Sequence, residues 1–190
     1  IASMGVEMIP NTKIGEDLSF ETVQNDFDAV LIGIGAWVST GVGCPGEDAE
    51  GVIGGIDFLR KVVRNEHIDF GEKVAIVGGG NTAMDACRTA VRLGAKEVYN
   101  IYRRTKDEMP ADSIEIEEAE EEGVIFKNLT NPLEIVKDEQ GHVKQVVLQV
   151  MELGEPDESG RRRPIPVEGK TETIDIDTVI LAIGQAVDAS

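Results

Sequence analysis

The feature that most constrains the fold is a run of three glycines between an apolar segment and a helical pattern. The segment "KVAIV" at 73–77 is apolar and β-branched, which is typical of a buried strand. "GGGNTA" follows at 78–83, and apolar side chains then recur with helical spacing to Val91, until Gly94 ends the pattern. "EVYNIYRR" begins soon afterwards with strand character. This order predicts a βαβ unit, and therefore a parallel sheet.

The glycine turn fits the pattern G-x-G-x-x-G/A, which dinucleotide-binding folds place between a strand and a helix. Gly78 allows the tight turn, Gly80 leaves the backbone open to a pyrophosphate, and Ala83 lets the helix approach the strand. The helix start adds unpaired N–H groups and a partial positive charge. A turn that binds nothing is the alternative, but extra glycines cost about 0.5–1 kcal/mol each relative to Ala. The predicted pyrophosphate site comprises Gly78, Gly79, Gly80, Asn81, Thr82 and Ala83.

The end of the second strand indicates which dinucleotide is bound. An NAD-binding protein places Asp or Glu there, roughly 20 residues past the turn, on the ribose 2′-hydroxyl. This chain has Arg103 and Arg104 instead, and guanidinium groups pair with the 2′-phosphate of NADP. A surface pair that neutralises the nearby acidic helix is the alternative. We predict that NADP(H) is favoured over NAD(H).

Charge and composition exclude several classes of partner. The chain has 36 acidic and 18 basic residues among 190, a formal charge of −18, so nucleic acid and anionic lipid are not expected partners. No apolar run approaches the roughly 20 residues that span a bilayer. Cys44 and Cys87 form no C-x-x-C pair, which predicts no zinc or iron–sulfur site and fits a reducing, cytoplasmic compartment. His67 and His142 lie in polar surroundings and are interpreted as solvated.

The segments before the glycine turn predict short elements. Apolar, β-branched content favours strands at Val6 to Pro10 and at Ala29 to Ile34, with a short helix or turn in "GEDLSFETVQNDF" between them. A loop rich in Gly and Pro, "GVGCPGEDAEGV", separates these from a helix that starts near Ile56 and ends near Asn65.

The segments after the βαβ unit predict one more helix and then strands. Asp112 starts a helix that continues to Gly123, with its acidic residues on a solvated face. The last third reads as strands in an antiparallel meander: "GVIFKNL", "LEIVKDEQGHVKQVVLQVMEL" and "TIDIDTVILAI". The basic "GRRRP" at 160–164 lies at a predicted hairpin tip, where a solvated turn is favoured and docking to a partner domain is the alternative.

The motifs together resemble the glutamate synthase small-subunit family, which are flavin-containing NADPH oxidoreductases of the glutathione-reductase-like class. The resemblance rests on "VAIVGGGNTAMDACRTAVRLGAKEVYNIYRRTKDEMPA", "EEAEEEGV", "LGEPDESGRRRP", "VILAIGQ" and the upstream "FDAVLIGIGAWVSTGVGCPGEDAEGV", and it covers essentially the whole chain. It implies an α/β fold: a Rossmann-like NAD(P)-binding domain with a parallel βαβ core and an antiparallel β-meander, flanked by a remnant of an FAD domain.

The resemblance also accounts for a repeated phrase. "DFDAVLIGIGA" at 26–36 and "DIDTVILAIGQ" at 175–185 are similar, and family members insert the NADPH domain into the FAD domain, so that the chain crosses between the two twice. This implies an FAD-domain segment with the first crossing strand at 1–47, an NADPH-binding domain at 48–184, and the start of the return at 185–190.

The functional expectation follows from that arrangement. In the intact protein, hydride would pass from NADPH to FAD and electrons onward to a partner subunit, with the FAD domain of the same polypeptide as the neighbour. This fragment would bind NADP(H) through the residues named above, with Gly184 and Gln185 near the nicotinamide half, but would bind no FAD and be inactive alone. We nominate no catalytic acid, base or nucleophile and no metal ligand, because the cofactors carry the chemistry. A non-catalytic NADP(H) sensor or interaction module is the alternative.

Overall fold

A parallel sheet forms the centre of the larger of two compact units. The computed structural model describes residues 1–156, 158 and 160–188. The larger unit spans residues 37–186, and the smaller one contains residues 1–36 and the segment after residue 186. The predicted domain boundaries at 47/48 and 184/185 stay a prediction, which this division into compact units does not test.

The described residues form four α-helices and ten strands, with two short 3₁₀ helices at Ala2–Met4 and Lys106–Glu108. In chain order the α-helices and strands are α1 (Phe20–Asp26), β1 (Val38–Ser39), β2 (Val52–Gly54), α2 (Gly55–Val63), β3 (Lys73–Val77), α3 (Asn81–Arg92), β4 (Glu97–Tyr102), α4 (Ser113–Glu121), β5 (Ile125–Asn128), β6 (Thr130–Lys137), β7 (Val143–Pro156), β8 (Arg162–Asp175), β9 (Thr178–Leu181) and β10 (Gln185–Ala186).

The central sheet has the strand order β2-β9-β3-β4-β5, and every neighbouring pair is parallel. Strand β3 lies in the middle, and its residues from Val74 to Val77 are all buried because layers cover both faces of the sheet. Strand β9, from the far end of the chain, pairs with β3 on one side while β4 pairs with it on the other.

Two hydrophobic cores lie on opposite faces of this sheet. Val74 and Ile76 of β3 join a core with the apolar faces of α2, α3 and α4. Ala75 and Val77 point the other way, into a core with the antiparallel sheet β6-β7-β8. The alternation follows from the strand period of two, which sends successive side chains to opposite faces.

The helix ends follow local sequence signals. Asp112 caps α4, because its carboxylate accepts a hydrogen bond from the N–H of Ile114 at 2.9 Å. Ser19 caps α1 in the same way through the N–H of Thr22. Gly94, after the end of α3, has φ of 100°, a left-handed conformation that glycine adopts without strain.

The predicted βαβ unit, the helices and part of the meander are confirmed. The β3–α3–β4 unit, α1, α2 and α4 lie where the sequence predicts them, and β6, β7 and β8 form an antiparallel sheet. The prediction that two further segments belong to the antiparallel meander is wrong. "GVIFKNL" becomes β5, which pairs in parallel with β4, and "TIDIDTVILAI" divides between the end of β8 and β9 in the parallel sheet. The sequence predicts no element for residues 165–172, which form the middle of β8.

The strands predicted at Val6 to Pro10 and Ala29 to Ile34 are also wrong for this structure. None of these residues lies in a described strand, and the described ladders include no partner for them. A strand is defined by hydrogen bonds to a neighbour, so β-branched composition alone does not create one. Of the repeated phrase, only the second copy is therefore a strand here.

Candidate functional site

The candidate site is a cleft at the carboxyl end of three adjacent strands. The chain leaves β3 at Gly78, β4 at Arg103 and β9 at Ala182, and these strands are neighbours in the parallel sheet. The cleft has a volume of about 460 Å³. In open parallel sheets, ligands bind in this crevice outside the carboxyl ends of the strands. Its lining includes, of the residues predicted from sequence, Gly78, Gly79, Gly80, Thr82, Arg103, Arg104, Gly184 and Gln185.

The three glycines of the turn have different surroundings. Gly78 has φ of 146°, and a Cβ there would lie 2.3 Å from the carbonyl oxygen of Ala182. A Cβ at Gly79 would lie 2.5 Å from the ring of Tyr102. At Gly80 a Cβ would have no atom within 4 Å. The fold therefore requires the first two glycines, whereas Gly80 leaves bare backbone facing open space.

The turn is held by hydrogen bonds from neighbouring elements. The side-chain amide of Asn100 in β4 donates to the Gly78 carbonyl at 2.9 Å, and the N–H of Ala111 donates to the Gly79 carbonyl at 3.1 Å. Asn100 is fully buried. The main chain that would face a ligand is thus fixed in position before any ligand binds.

Helix α3 begins in the cleft without a side-chain cap. Gly80 is its N-cap residue, and no acidic residue lies in its first turn. The N–H groups of a helix start and the aligned peptide dipoles together attract anions. The Asn81 side chain turns elsewhere, since its oxygen accepts a hydrogen bond from the N–H of Asp112. Ala83 is fully buried beneath the turn and does not line the cleft.

The two predicted arginines differ in their environment. Arg103 is exposed at the end of β4, and none of the described carboxylates forms an ion pair with it. Arg104 is buried with 5% of its surface exposed, and its Nε donates to the carbonyl of Arg162 in the β7–β8 hairpin at 2.7 Å. Both line the cleft, but only Arg103 presents an exposed guanidinium to it.

Gly184 and Gln185 enter the cleft from the third strand end. The Gln185 amide donates to the Thr82 hydroxyl at 3.4 Å, so the segment after β9 contacts the first turn of α3. The Thr40 hydroxyl donates to the Gly184 carbonyl at 2.9 Å and fixes that segment from the other side. The parallel pairing of β9 with β3 produces this contact between residues 103 positions apart.

The charge of the cleft is opposite to that of the chain. The described residues that line it include three arginines and no Asp or Glu, although the protein has a formal charge of −18. The positive charge that would attract an anionic ligand therefore lies at the cleft, whereas the chain as a whole is acidic.

The cysteines are not suited to nucleophilic or metal chemistry. Burial raises the pKa of the Cys87 thiol, and burial together with the nearby Glu47 carboxylate raises the pKa of Cys44 to about 11. Both remain protonated thiols at neutral pH. No cluster of three or more metal-ligating side chains lies among the described residues. In the same part of the chain, no helix has the length and apolar content to cross a bilayer.

Residues 6–190 match the family of pyridine nucleotide-disulphide oxidoreductases. The chain belongs to this family. Among the curated members, it is 48% identical over its whole length to the NADPH-Fe(3+) oxidoreductase subunit beta of Geobacter sulfurreducens. It is 46% identical to the NADP(+)-dependent formate dehydrogenase subunit beta of Moorella thermoacetica. The glutamate synthase [NADPH] small chain of Escherichia coli is 39% identical over 95% of this chain, which confirms the predicted resemblance.

The chain spans only part of these family members. It covers 29% of the Geobacter protein, 27% of the Moorella protein and 41% of the Escherichia coli small chain. A solved structure, Mycobacterium tuberculosis FprA in complex with NADPH, superposes with a TM-score of 0.79 over 92% of this chain and 54% of its own, at 20% identity. Thioredoxin reductase from Giardia duodenalis gives 0.56 over 77% of this chain and 41% of its own. These similarities confirm the Rossmann-like α/β fold.

Two residues at the cleft, Arg161 and Asn100, were not predicted from the sequence as part of the site. Arg161, in the run favoured as a solvated turn, lines the cleft beside the two predicted arginines. Asn100 shapes the glycine turn, and a buried Asn within an apolar strand was the signal that could have identified it. Arg161 gave no such signal, because its position depends on how the β7–β8 hairpin packs.

Proposed function

We propose that this chain is the NADPH-binding module of a flavoprotein oxidoreductase. In the longer protein, hydride would pass from the nicotinamide of NADPH to FAD, and electrons would continue to a partner subunit. The observation that carries the proposal is the cleft itself, which combines an uncapped helix start, an open Gly80 and an arginine at the end of β4.

The chemistry of the cleft supports a dinucleotide with an extra phosphate. The open backbone at Gly80 and the N–H groups of α3 suit a pyrophosphate. The strand end that would carry a carboxylate for NAD carries the exposed Arg103 instead, and a guanidinium suits the 2′-phosphate of NADP. The volume of about 460 Å³ is within the range of small-molecule sites.

The names of the relatives support the same reading. NADPH or NADP(+) appears in those of the Geobacter, Moorella and Escherichia coli proteins, and each of these is named as a subunit or a small chain. A partner subunit and an FAD domain in the same polypeptide therefore remain part of the proposal. The residues we propose for the pyrophosphate and nicotinamide halves are those of the glycine turn and Gly184 with Gln185.

The first experiment compares NADPH and NADH binding to the 190-residue chain by calorimetry. We expect NADPH to bind at least about tenfold more tightly, because a charge-assisted hydrogen bond contributes roughly 1.5–3 kcal/mol. Arg103→Ala should remove most of that advantage and leave NADH binding unchanged. Arg64→Ala is the matched control, since Arg64 is also exposed but does not line the cleft. Equal losses for both dinucleotides in Arg103→Ala would overturn the assignment of Arg103 to the 2′-phosphate.

A visible spectrum of the longer polypeptide, recorded before and after NADPH is added, tests the redox part of the proposal. We expect a yellow, flavin-containing protein whose visible band disappears on anaerobic addition of NADPH. A colourless protein that still binds NADPH would instead support the non-catalytic sensor.

A further inference from the structure

The β7–β8 hairpin brings a third arginine to the cleft. We infer that Arg161 is a phosphate-binding residue for the 2′-phosphomonoester of the dinucleotide, and that Arg104 is the positioning residue that holds the hairpin against the cleft. The inference rests on the proposed function, because it assigns a role at the same site.

Arg104 connects the end of β4 to the hairpin. Arg104 is buried, with 5% of the residue's surface exposed, and its Nε donates to the backbone carbonyl of Arg162 at 2.7 Å. Burying a guanidinium is costly unless hydrogen bonds compensate for the lost hydration. One of the compensating hydrogen bonds goes to the residue directly after Arg161, so the side chain of Arg104 holds the backbone next to Arg161.

The next arginine braces the hairpin from within. The Arg162 side chain donates to the carbonyls of Leu153 at 2.8 Å and of Gly154 at 3.2 Å on the opposite strand. The ladder between β7 and β8 has a register shift between Leu153 and Pro156, and these side-chain bonds lie next to that shift. The Arg162 guanidinium therefore lies across its own hairpin, and Arg162 is absent from the lining of the cleft, which includes Arg161.

The three arginines of the run thus have separate environments. Arg161 lines the cleft with Arg103 and Arg104, Arg162 supports the hairpin, and Arg163 is exposed outside the lining. A phosphomonoester carries close to two negative charges at neutral pH and presents three acceptor oxygens. Arginines from two separate elements, β4 and the hairpin, can contact different oxygens of one such group.

The test measures the binding of 2′,5′-ADP and of 5′-AMP, which lacks only the 2′-phosphate, and the binding of NADPH and NADH. We expect Arg161→Ala to weaken the binding of 2′,5′-ADP and NADPH roughly tenfold or more, with little change in the binding of 5′-AMP and NADH. Arg163→Ala, the control in the same run, should leave all four unchanged. Arg104→Met should also weaken the binding of 2′,5′-ADP. The double variant Arg104→Met/Arg161→Ala should bind it only a little more weakly than either single variant, because the two residues act as a unit.

The outcomes separate this inference from the proposed function. If the unmodified chain bound neither NADPH nor 2′,5′-ADP, the proposed function would fail. If it bound both and Arg161→Ala bound them equally well, the role of Arg161 would be refuted and the NADPH site would stand. If the losses of binding free energy in the double variant were fully additive, the positioning role of Arg104 would be refuted. If Arg104→Met does not fold, Arg161→Ala alone still tests the role of Arg161.

Discussion

Neighbouring residues of one type serve different purposes in the glycine turn. Gly78 is required by its backbone angle and by the Ala182 carbonyl, and Gly79 by the ring of Tyr102. Gly80 faces open space and has an ordinary extended conformation, with φ of −95°. Only at Gly80 does the protein itself give no reason for the missing side chain, so this position separates a ligand site from a mere turn.

We expect Gly80→Val to abolish NADPH binding while the chain stays folded. The valine would meet no protein atom, but it would fill the space next to the backbone that the pyrophosphate approaches. Losing a favourable N-cap residue costs about 1 kcal/mol, so the circular dichroism spectrum should be retained. Gly79→Ala is the contrasting variant and should lower the melting temperature, because its Cβ contacts the buried Tyr102. Unchanged NADPH affinity in Gly80→Val would show that the turn has no binding role.

At the scale of elements, α4 packs against α3 through charge as well as through apolar contact. Arg88 of α3 forms ion pairs with Glu115 at 2.7 Å, Glu118 at 2.5 Å and Glu122 at 2.9 Å. Glu122 also pairs with Arg92 at 2.6 Å. The prediction that the acidic face of α4 is solvated is therefore partly wrong, because three of its carboxylates face α3. Their pairing offsets the repulsion of so many acids at one helix end.

This cluster predicts a specific dependence of stability on pH. Hydrogen bonds from Arg92 and Arg88 hold the pKa of Glu122 below its ordinary value of 4.5. A lowered folded-state pKa means that the stabilisation is present above the ordinary pKa and is lost as pH falls through the lowered one. We expect Arg88→Met to lower the melting temperature by a few degrees at neutral pH and by less in acid. Arg64→Met removes a single exposed ion pair at 3.8 Å and should leave the melting temperature unchanged at both neutral and acidic pH. An identical loss at both pH values would contradict the prediction.

At the scale of the molecule, both cores depend on the same central strands. Phe58 of α2 and Leu148 of β7 are fully buried on opposite faces of the parallel sheet. Strands β3 and β9 contribute side chains to both cores, so loosening either face removes support from the same strands. Residues 37–186 should therefore unfold as one cooperative unit, even though a helical layer and an antiparallel sheet cover its two faces.

We expect Phe58→Ala to cost about 3–5 kcal/mol and Leu148→Ala about 2–5 kcal/mol of unfolding free energy. Urea titration measures these losses, and hydrogen exchange should show reduced protection of the β3 amides in both variants. Val63→Ala, at a side chain that is 83% exposed, provides the control. If Leu148→Ala reduced protection only in β6, β7 and β8, the antiparallel sheet would be a separate cooperative unit.

The local elements of this protein were predictable where the sequence signal is local. The β3–α3–β4 unit and the caps at Asp112 and Gly94 follow from apolar spacing and from residues that favour helix ends. Strand membership was less predictable, because β5 and β9 contain the same apolar residues that would suit the meander. Which sheet they join is decided by long-range pairing, which no short window of sequence records.

The sequence by itself determined the glycine turn, the helix start and the arginines at the end of β4, because each depends on residues within about one βαβ unit. Only the tertiary structure decided that β9 lies beside β3, which brings Gly184 and Gln185 to the turn, and that the β7–β8 hairpin carries Arg161 to the cleft. Tertiary packing also separated Arg103 from Arg104, exposing one guanidinium and burying the other. The physical reason is the same in each case: backbone preferences act between near neighbours, whereas burial and strand pairing depend on segments far apart in the chain.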